Sequence, residues 1–334
     1  MRADHLSARF KMLEASPLSL NGHEAAVYAL AAWGTHDVLS GGGDGYLVHW
    51  SLSAAAGDAA EPTGKVVAQL EERIFCLCVL SGARNAAVGT LSGDLYFLAL
   101  DGTHRTKQAR RWRYHTKGCY GLCALGDVVY SVGGSGRLAA WDSKRGEQLR
   151  GVHLDNCRLR GLAYLEEADC LAVGTERGEV HFVDRISLER RATLPFAHEQ
   201  TVFAVLDRGD YFISAGRDAA LRAWAVQAPF AQRGHIPAHH ATINALQAGA
   251  PGELYTASRD GSIKFWRKPN ASLTAAEQSR DEQAWALDLA QVRSAVQGGG
   301  HRGSVNALAL VPGARRLISA GDDRSIKAWR LVDR

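Results

Sequence analysis

Three groupings in this chain have residue types and spacings that could do chemistry. His235-x3-His239-His240 sets imidazoles at a spacing that suits a metal ion such as zinc. Cys76-x-Cys78 and Cys119-x3-Cys123 could supply pieces of a thiolate site, although neither has the CxxC spacing. The basic run Arg105–Lys117 places Lys107, Arg110, Arg111 and Arg113 around Trp112, a mixture of charge and aromatic surface suited to RNA or another anionic surface. Each has a plainer reading. His239 falls in a recurring column of histidines described below. All six cysteines, Cys76, Cys78, Cys119, Cys123, Cys157 and Cys170, sit in short apolar runs, where a free cysteine serves as a small buried hydrophobe. A solvated edge strand guarded by charge accounts for Arg105–Lys117. There is no P-loop, no HExxH and no G-x-S-x-G between a strand and a helix. No catalytic, cofactor or metal site is therefore expected, and no enzymatic role.

The elements that must carry these residues repeat. Asp-Gly-Tyr-Leu-Val-His-Trp at Asp44–Trp50 returns as Ser135–Trp141, Asp218–Trp224, Asp260–Trp266 and Asp323–Trp329, with degraded copies at Ser92–Leu98 and Arg177–Val183. The period is ~40 residues, the length of one supersecondary unit in a stacked or radial array. Upstream of each strong copy stands a histidine four residues before an apolar position: His23/Val27, His198/Val202, His239/Ile243, His301/Val305, and His115/Cys119 in the third copy. A strand ending in Ser or Thr follows, as in Val38–Ser40, Val129–Ser131, Phe212–Ser214, Leu254–Thr256 and Leu317–Ser319. Alternation such as Ile263-Lys-Phe-Trp266 marks half-buried strands. Short β-runs punctuated by Gly and Asp at this period predict four-stranded blades around an axis, one continuous domain over residues 1–334.

Composition agrees. Apolar residues make up 46% of the chain, enough for a sizeable core, and a net charge of +4 gives no whole-molecule case for nucleic acid. Met1–Ala15 is too charged for the apolar core of a signal peptide, and no stretch approaches eighteen uninterrupted apolar residues. A reducing cytoplasmic setting, no membrane and a monomeric body are expected.

With these motifs in place, the chain resembles the WD40 repeat family along essentially its whole length. The resemblance implies a seven-bladed, all-β propeller of antiparallel blades. It also implies a hydrogen-bonded set of His, Ser/Thr, Asp and Trp inside each blade. Complete sets would be His23, Ser40, Asp44 and Trp50 in blade one, and His198, Ser214, Asp218 and Trp224 in blade five. Blade six would have His239, Thr256, Asp260 and Trp266, and blade seven His301, Ser319, Asp323 and Trp329. Blade three keeps His115, Ser131 and Trp141 but has Ser135 for the Asp. Blades two and four have lost the set, with Asp155 or His153 standing where the fourth His would be. Only Trp141-Asp142 spells the Trp-Asp pair itself.

Two connections depart from the period. The last copy ends too soon after Trp329 to hold a fourth strand, so a segment over roughly 10–20 is expected to close the ring as the outer strand of blade seven. The step from Trp266 to Trp329 is half as long again as that from Trp224 to Trp266. An outer strand over 285–292, with 268–283 as a polar excursion, is the preferred reading. A helix across 273–296 is the competitor.

One column is uniformly small: Ala29, Cys76, Gly121, Gly161, Ala204, Ala245 and Ala307. Small residues let innermost strands converge toward an axis. WD40 proteins commonly recognise partners on one ring face, and the resemblance maps three columns onto it. The residue after the first apolar position gives Tyr28, Phe75, Tyr120, Arg160, Phe203, Asn244 and Asn306. Two positions earlier come Ala26, Arg73, Gly118, Arg158, Thr201, Thr242 and Ser304. Just before the turn Asp come Gly43, Leu91, Gly134, Glu176, Arg217, Arg259 and Asp322. Arginine and aromatic residues are over-represented, so Tyr28, Arg73, Phe75, Tyr120, Arg158, Arg160, Phe203, Arg217 and Arg259 are the candidate partner-binding set. Arg pairs bidentately with carboxylate or phosphate, and aromatics give rigid contact area. The aromatics could equally pack as strand residues near the channel mouth. The leading expectation is a scaffold binding an acidic or phosphorylated protein segment. A nucleic-acid factor using the 105–117 edge is the alternative, and a propeller enzyme a third.

Overall fold

The computed structural model describes residues 11–52, 62, 64–80, 82, 85–100, 110–268, 287–296 and 299–333. Seven antiparallel sheets follow one another along the chain, each running from an innermost to an outermost strand. The innermost strands are Val27–Trp33, Ile74–Val79, Cys119–Leu125, Leu159–Leu165, Val202–Asp207, Ile243–Ala248 and Val305–Val311. Each packs beside the next, and the seventh returns to the first, which closes a seven-bladed β-propeller. Among the described residues no helix is long and apolar enough to cross a membrane.

The core lies between blades rather than within them. Seven buried apolar clusters occupy the seven blade-to-blade seams. The indoles sit in them by rule: Trp50, Trp141, Trp224, Trp266 and Trp329 each fill the seam with the preceding blade. The small column has its reason here. A methyl on Gly121 would lie 2.9 Å from the Arg160 carbonyl oxygen of the neighbouring innermost strand.

Closure uses two short N-terminal strands rather than one. Lys11–Leu13 pairs with residues 331–333 and Leu18–Leu20 with residues 326–328, both against the last strand, Ile326–Asp333. Gln291 on the outermost strand of blade six pins this strap. Its side-chain oxygen accepts from the Leu13 amide at 2.8 Å, and its side-chain nitrogen donates to the Leu13 carbonyl at 2.9 Å. That outermost strand runs Asp288–Arg293, three residues later at its start than expected, and excludes a helix over those residues. Residues 269–286, Trp285 included, lie outside the described residues.

Candidate functional site

The recurring polar set fixes each blade before any surface can be presented. In blade six Trp266 Nε1 donates to Thr256 Oγ1 at 3.0 Å, Thr256 Oγ1 meets His239 Nε2 at 2.7 Å, and His239 Nδ1 meets Asp260 at 3.0 Å. Indole is a donor only, so the chain of bonds has one direction. The threonine hydroxyl, having accepted from the indole, donates to Nε2, and Nδ1–H donates to the carboxylate. Blades one, five and seven repeat the arrangement, with indole-to-serine bonds of 2.8, 2.9 and 2.9 Å. Burial works to raise the Asp260, Asp218 and Asp323 carboxyls, but their histidine partners, joined by Ser262, Arg222 and Ser325 respectively and by backbone amides, together hold all three below the usual carboxylate range. Burial lowers His239, against the pull of Asp260. Both ring nitrogens of His239 are engaged, which leaves none for a metal shared with His235 and His240.

The incomplete blades solve the same problem differently. Blade two puts Leu70, Val88 and Leu98 at the His, Ser and Trp positions, all buried in one cluster. Blade three lacks the Asp: His115 Nδ1 and Ser135 Oγ have no hydrogen-bond partner among the described residues. Burial, aided by the charge of Arg137, lowers His115 to about 3. In blade four Asp155 stands at the His position and Arg177 at the Asp position, so the charges are inverted. Asp155 meets His181 Nε2 at 2.9 Å and the guanidiniums of Arg177 and Arg190 at 3.5 and 3.9 Å. Glu179 completes a cluster with Asp155 and His181, but the two arginines already supply the positive charge against Asp155.

A β-bulge interrupts the innermost ladder of every blade at one position. The residues at those bulges are Tyr28, Phe75, Tyr120, Arg160, Phe203, Asn244 and Asn306, with Gly161 sharing the blade-four bulge. A bulge frees a residue from the ladder and re-aims its side chain. All seven line a cavity of about 610 Å³ at the mouth of the central channel. The other two columns frame it. In each blade the amide of the third-column residue donates to the carbonyl of the second-column residue at 2.8–3.0 Å, blade four included.

The mouth has two arcs. Tyr28 stacks on Phe75 with centroids 4.8 Å apart, and Phe75 meets Tyr120 edge-on at 5.6 Å. The Arg160 guanidinium lies 3.7 Å from the Tyr120 centroid and 5.5 Å from that of Phe203. Arg160 is in no ion pair among the described residues, its Nε is buried without a partner, and burial lowers its pKa below the usual guanidinium value. The opposite arc is a closed polar network. Asn244 donates to Ser304 Oγ and the Val305 carbonyl, both at 2.9 Å, and Asn306 donates to Asp322 at 2.8 Å and to the Val27 carbonyl at 3.1 Å. These amides join blade six to seven and blade seven to one.

Of the nine candidate residues, Tyr28, Phe75, Tyr120, Arg160, Phe203 and Arg259 line the cavity. Arg73, Arg158 and Arg217 are exposed on the same turns but do not line it. Arg158 is paired with Glu176 at 3.7 Å. Gly118 belongs to the second column but not to the nine candidates. Its φ is +99°, and a methyl there would lie 2.5 Å from Tyr120 Cζ, so the absent side chain leaves room for the Tyr120 ring.

The basic run is largely spoken for. Arg110–Arg113 is the outermost strand of blade two. Arg111 donates to Asp94 at 2.7 Å, Arg110 pairs with Glu147 at 3.1 Å, and Trp112 Nε1 donates to the Gly146 carbonyl at 2.6 Å. Residues 105–109 lie outside the described residues. All six cysteines are free thiols, three buried and three partly buried. Burial pushes Cys157 and Cys170 up to about 11.

The family model of the WD domain, G-beta repeat, matches the chain at residues 15–51, 231–267 and 294–330. Those spans hold blades one, six and seven, three of the four blades with a complete polar set. A p21-activated protein kinase-interacting protein 1-like protein of Gallus gallus is 22% identical over 137 residues, which is 41% of this chain and 31% of that protein. The crystal structure of the WD40 beta propeller domain of Doa1 superposes with a TM-score of 0.79 at 15% identity, covering 96% of this chain and 97% of that one.

Proposed function

We propose that this seven-bladed propeller of WD40 repeats is a non-catalytic platform that assembles a protein complex, and that its channel mouth captures an acidic or phosphorylated segment of a partner. The observation that carries the reading is Arg160. A guanidinium held between two aromatic faces, partly dehydrated and without a carboxylate of its own, keeps its terminal Nη donors for a ligand. Its rings hold it in place, so little side-chain entropy is lost on binding. The Gallus gallus relative is named for interacting with a protein kinase, which supports a protein as partner. Nucleic-acid binding on the 105–117 edge has less to stand on, because Arg110 and Arg111 already have acidic partners.

The test is a synthetic array of aspartate-rich and phosphoserine peptides, each beside its amide or unphosphorylated counterpart. Losing a charge-assisted hydrogen bond costs about 1.5–3 kcal/mol, so R160E should weaken the anionic peptides by about tenfold or more. R160K keeps the charge without the fork and should fall between. Equal binding by the parent chain and R160E overturns the reading.

A further inference from the structure

The three columns are not evenly mixed around the ring. Blades one to three contribute Tyr28, Phe75 and Tyr120 at their bulges and Gly43, Leu91 and Gly134 at their turns. Arg73 is the single charged residue among the nine positions these blades supply. Leu91 keeps 37% of its surface exposed, and its amide donates to the Arg73 carbonyl two residues before Phe75; the matching positions of the neighbouring blades are the glycines. An exposed apolar side chain on the blade that carries one ring of the stacked pair is a surface that gains by being covered.

Blades four to six carry Arg160 at the mouth and Arg217 and Arg259 on exposed turns, with no ion pair to any of the three among the described residues. Their one acid, Glu176, is used by Arg158. Beyond them Asp322 is held by Asn306 at the closing seam. The face is thus an apolar sector followed by an arginine sector, and Arg160 stands at the boundary with its guanidinium on Tyr120.

Resting on the reading above, we infer that the occupant is bipartite: an extended partner segment in which an apolar or aromatic residue directly adjoins one or more acidic residues. The apolar residue covers Phe75 and Leu91, while the anionic residues run over Arg160 toward Arg217 and Arg259. An extended segment suits the layout better than a compact anion, because Arg217 and Arg259 sit on successive blades and Arg217 lies outside the cavity. Adjacency of the two residue types gives the recognition, since each sector alone offers a small contact.

The experiment uses the full chain and four labelled nonapeptide pools with degenerate Gly/Ser flanks. One pool has a central Asp-Asp, one a central Phe, one Phe adjoining Asp-Asp, and one the same residues separated by four flank positions. Binding is read by fluorescence anisotropy against the parent chain, L91E, F75A, R160E and R217E/R259E. The adjoining pool should bind about tenfold more tightly than Asp-Asp alone. L91E and F75A should remove that gain while leaving Asp-Asp binding intact. R217E/R259E should weaken all three pools that contain Asp-Asp and leave the ratio of the adjoining pool to Asp-Asp alone unchanged. L91E alters an exposed turn residue, so it answers the question if F75A disturbs the stack. No gain from adjacency, or a gain that survives L91E, overturns the bipartite occupant and leaves the anion site standing. Asp-Asp binding that R160E does not weaken sinks the anion site itself.

Discussion

Replacing Thr256 with Val probes the blade-six network with almost no change of shape. The hydroxyl sits between two buried groups, accepting from Trp266 Nε1 at 3.0 Å and donating to His239 Nε2 at 2.7 Å. Removing it orphans an indole N–H and an imidazole nitrogen at once, and Trp266 is only 4% exposed. Each buried group left unpaired costs about 1–3 kcal/mol, so T256V should cost about 2–6 kcal/mol. Unfolding entropy of about 2.1 cal/mol/K per residue gives about 0.7 kcal/mol/K for a chain of this length, or a fall in Tm of about 3–9 °C. T256S should melt like the parent, because blades one, five and seven already use serine there. The mechanism makes a sharper demand. W266F removes the indole donor, so T256V should cost about half as much in that background. The measurements are thermal melts of the five chains, parent included, followed by circular dichroism and calorimetry. A T256V chain melting within about 1 °C of the parent would refute the reasoning. So would an undiminished cost in the W266F background, which would assign the loss to packing. Blade two shows why pairing matters more than polarity. There Leu70, Val88 and Leu98 replace all three groups, and nothing is left orphaned.

Acid should weaken the ring in two windows. His115 is held at about 3 in the folded chain and takes its proton near 6.5 when unfolded. Its contribution is therefore complete above pH 6.5 and is lost as pH falls from 6.5 toward 3, by about 1.4 kcal/mol per pH unit. H115Q should flatten that slope by one proton in urea titrations at pH 7, 5 and 4. The lowered Asp218, Asp260 and Asp323 act later: their contribution is present above about 3.9 and is lost as pH falls further. Deleting residues 1–20 removes both strands of the strap and should lower the melting temperature of the whole ring; an unchanged melt would show that closure lies elsewhere. Q291A should leave the ring closed but speed amide exchange along the strap, read at Leu13 and Leu331 by hydrogen-exchange mass spectrometry. G118A should cost about 1–3 kcal/mol from its positive φ and, by displacing the Tyr120 ring, weaken anionic peptides; normal binding would show that Tyr120 does not hold Arg160 in place.

The architecture was legible because it is written in residues that depend on one another. A buried indole donor demands an acceptor and the acceptor hydroxyl an imidazole, so Trp, Ser/Thr and His recur together at fixed distances in five blades, with the carboxylate beside them in four; blade three shows that the Asp is the member that can be lost alone. The closing strap was legible as a missing strand, but its split into two pieces and its anchor at Gln291 depend on contacts between blades far apart in sequence. Blade four was hard to register because Asp155 and Arg177 reverse the charges of their columns, and a reader tracking histidine sees only a loss. The bulges left no signal of their own. No residue type marks them, since Tyr, Phe, Arg and Asn all occupy them, and the column was found by analogy rather than by periodicity.

That last fact bears on why this face can specialise. A bulge residue gives nothing to the ladder and stands outside the His–Ser–Asp–Trp network, so its side chain is free of the pairings that hold the blade. Its identity can follow its neighbour around the ring instead. Asn244 and Asn306 serve the seams that join blades six, seven and one. Tyr120, Arg160 and Phe203 cross the seams of blades three to five without side-chain hydrogen bonds among the described residues, as a stacked series whose central member is a cation. If the stack served only to pack the mouth, a neutral side chain between Tyr120 and Phe203 would do as well at lower desolvation cost. R160M makes that comparison. The geometry expects a chain at least as stable as the parent, in keeping with the general finding that buried charges are costly to hold, together with loss of anionic-peptide binding. A clear drop in Tm for R160M would make Arg160 a structural residue and remove the reason to look for an anion at the mouth.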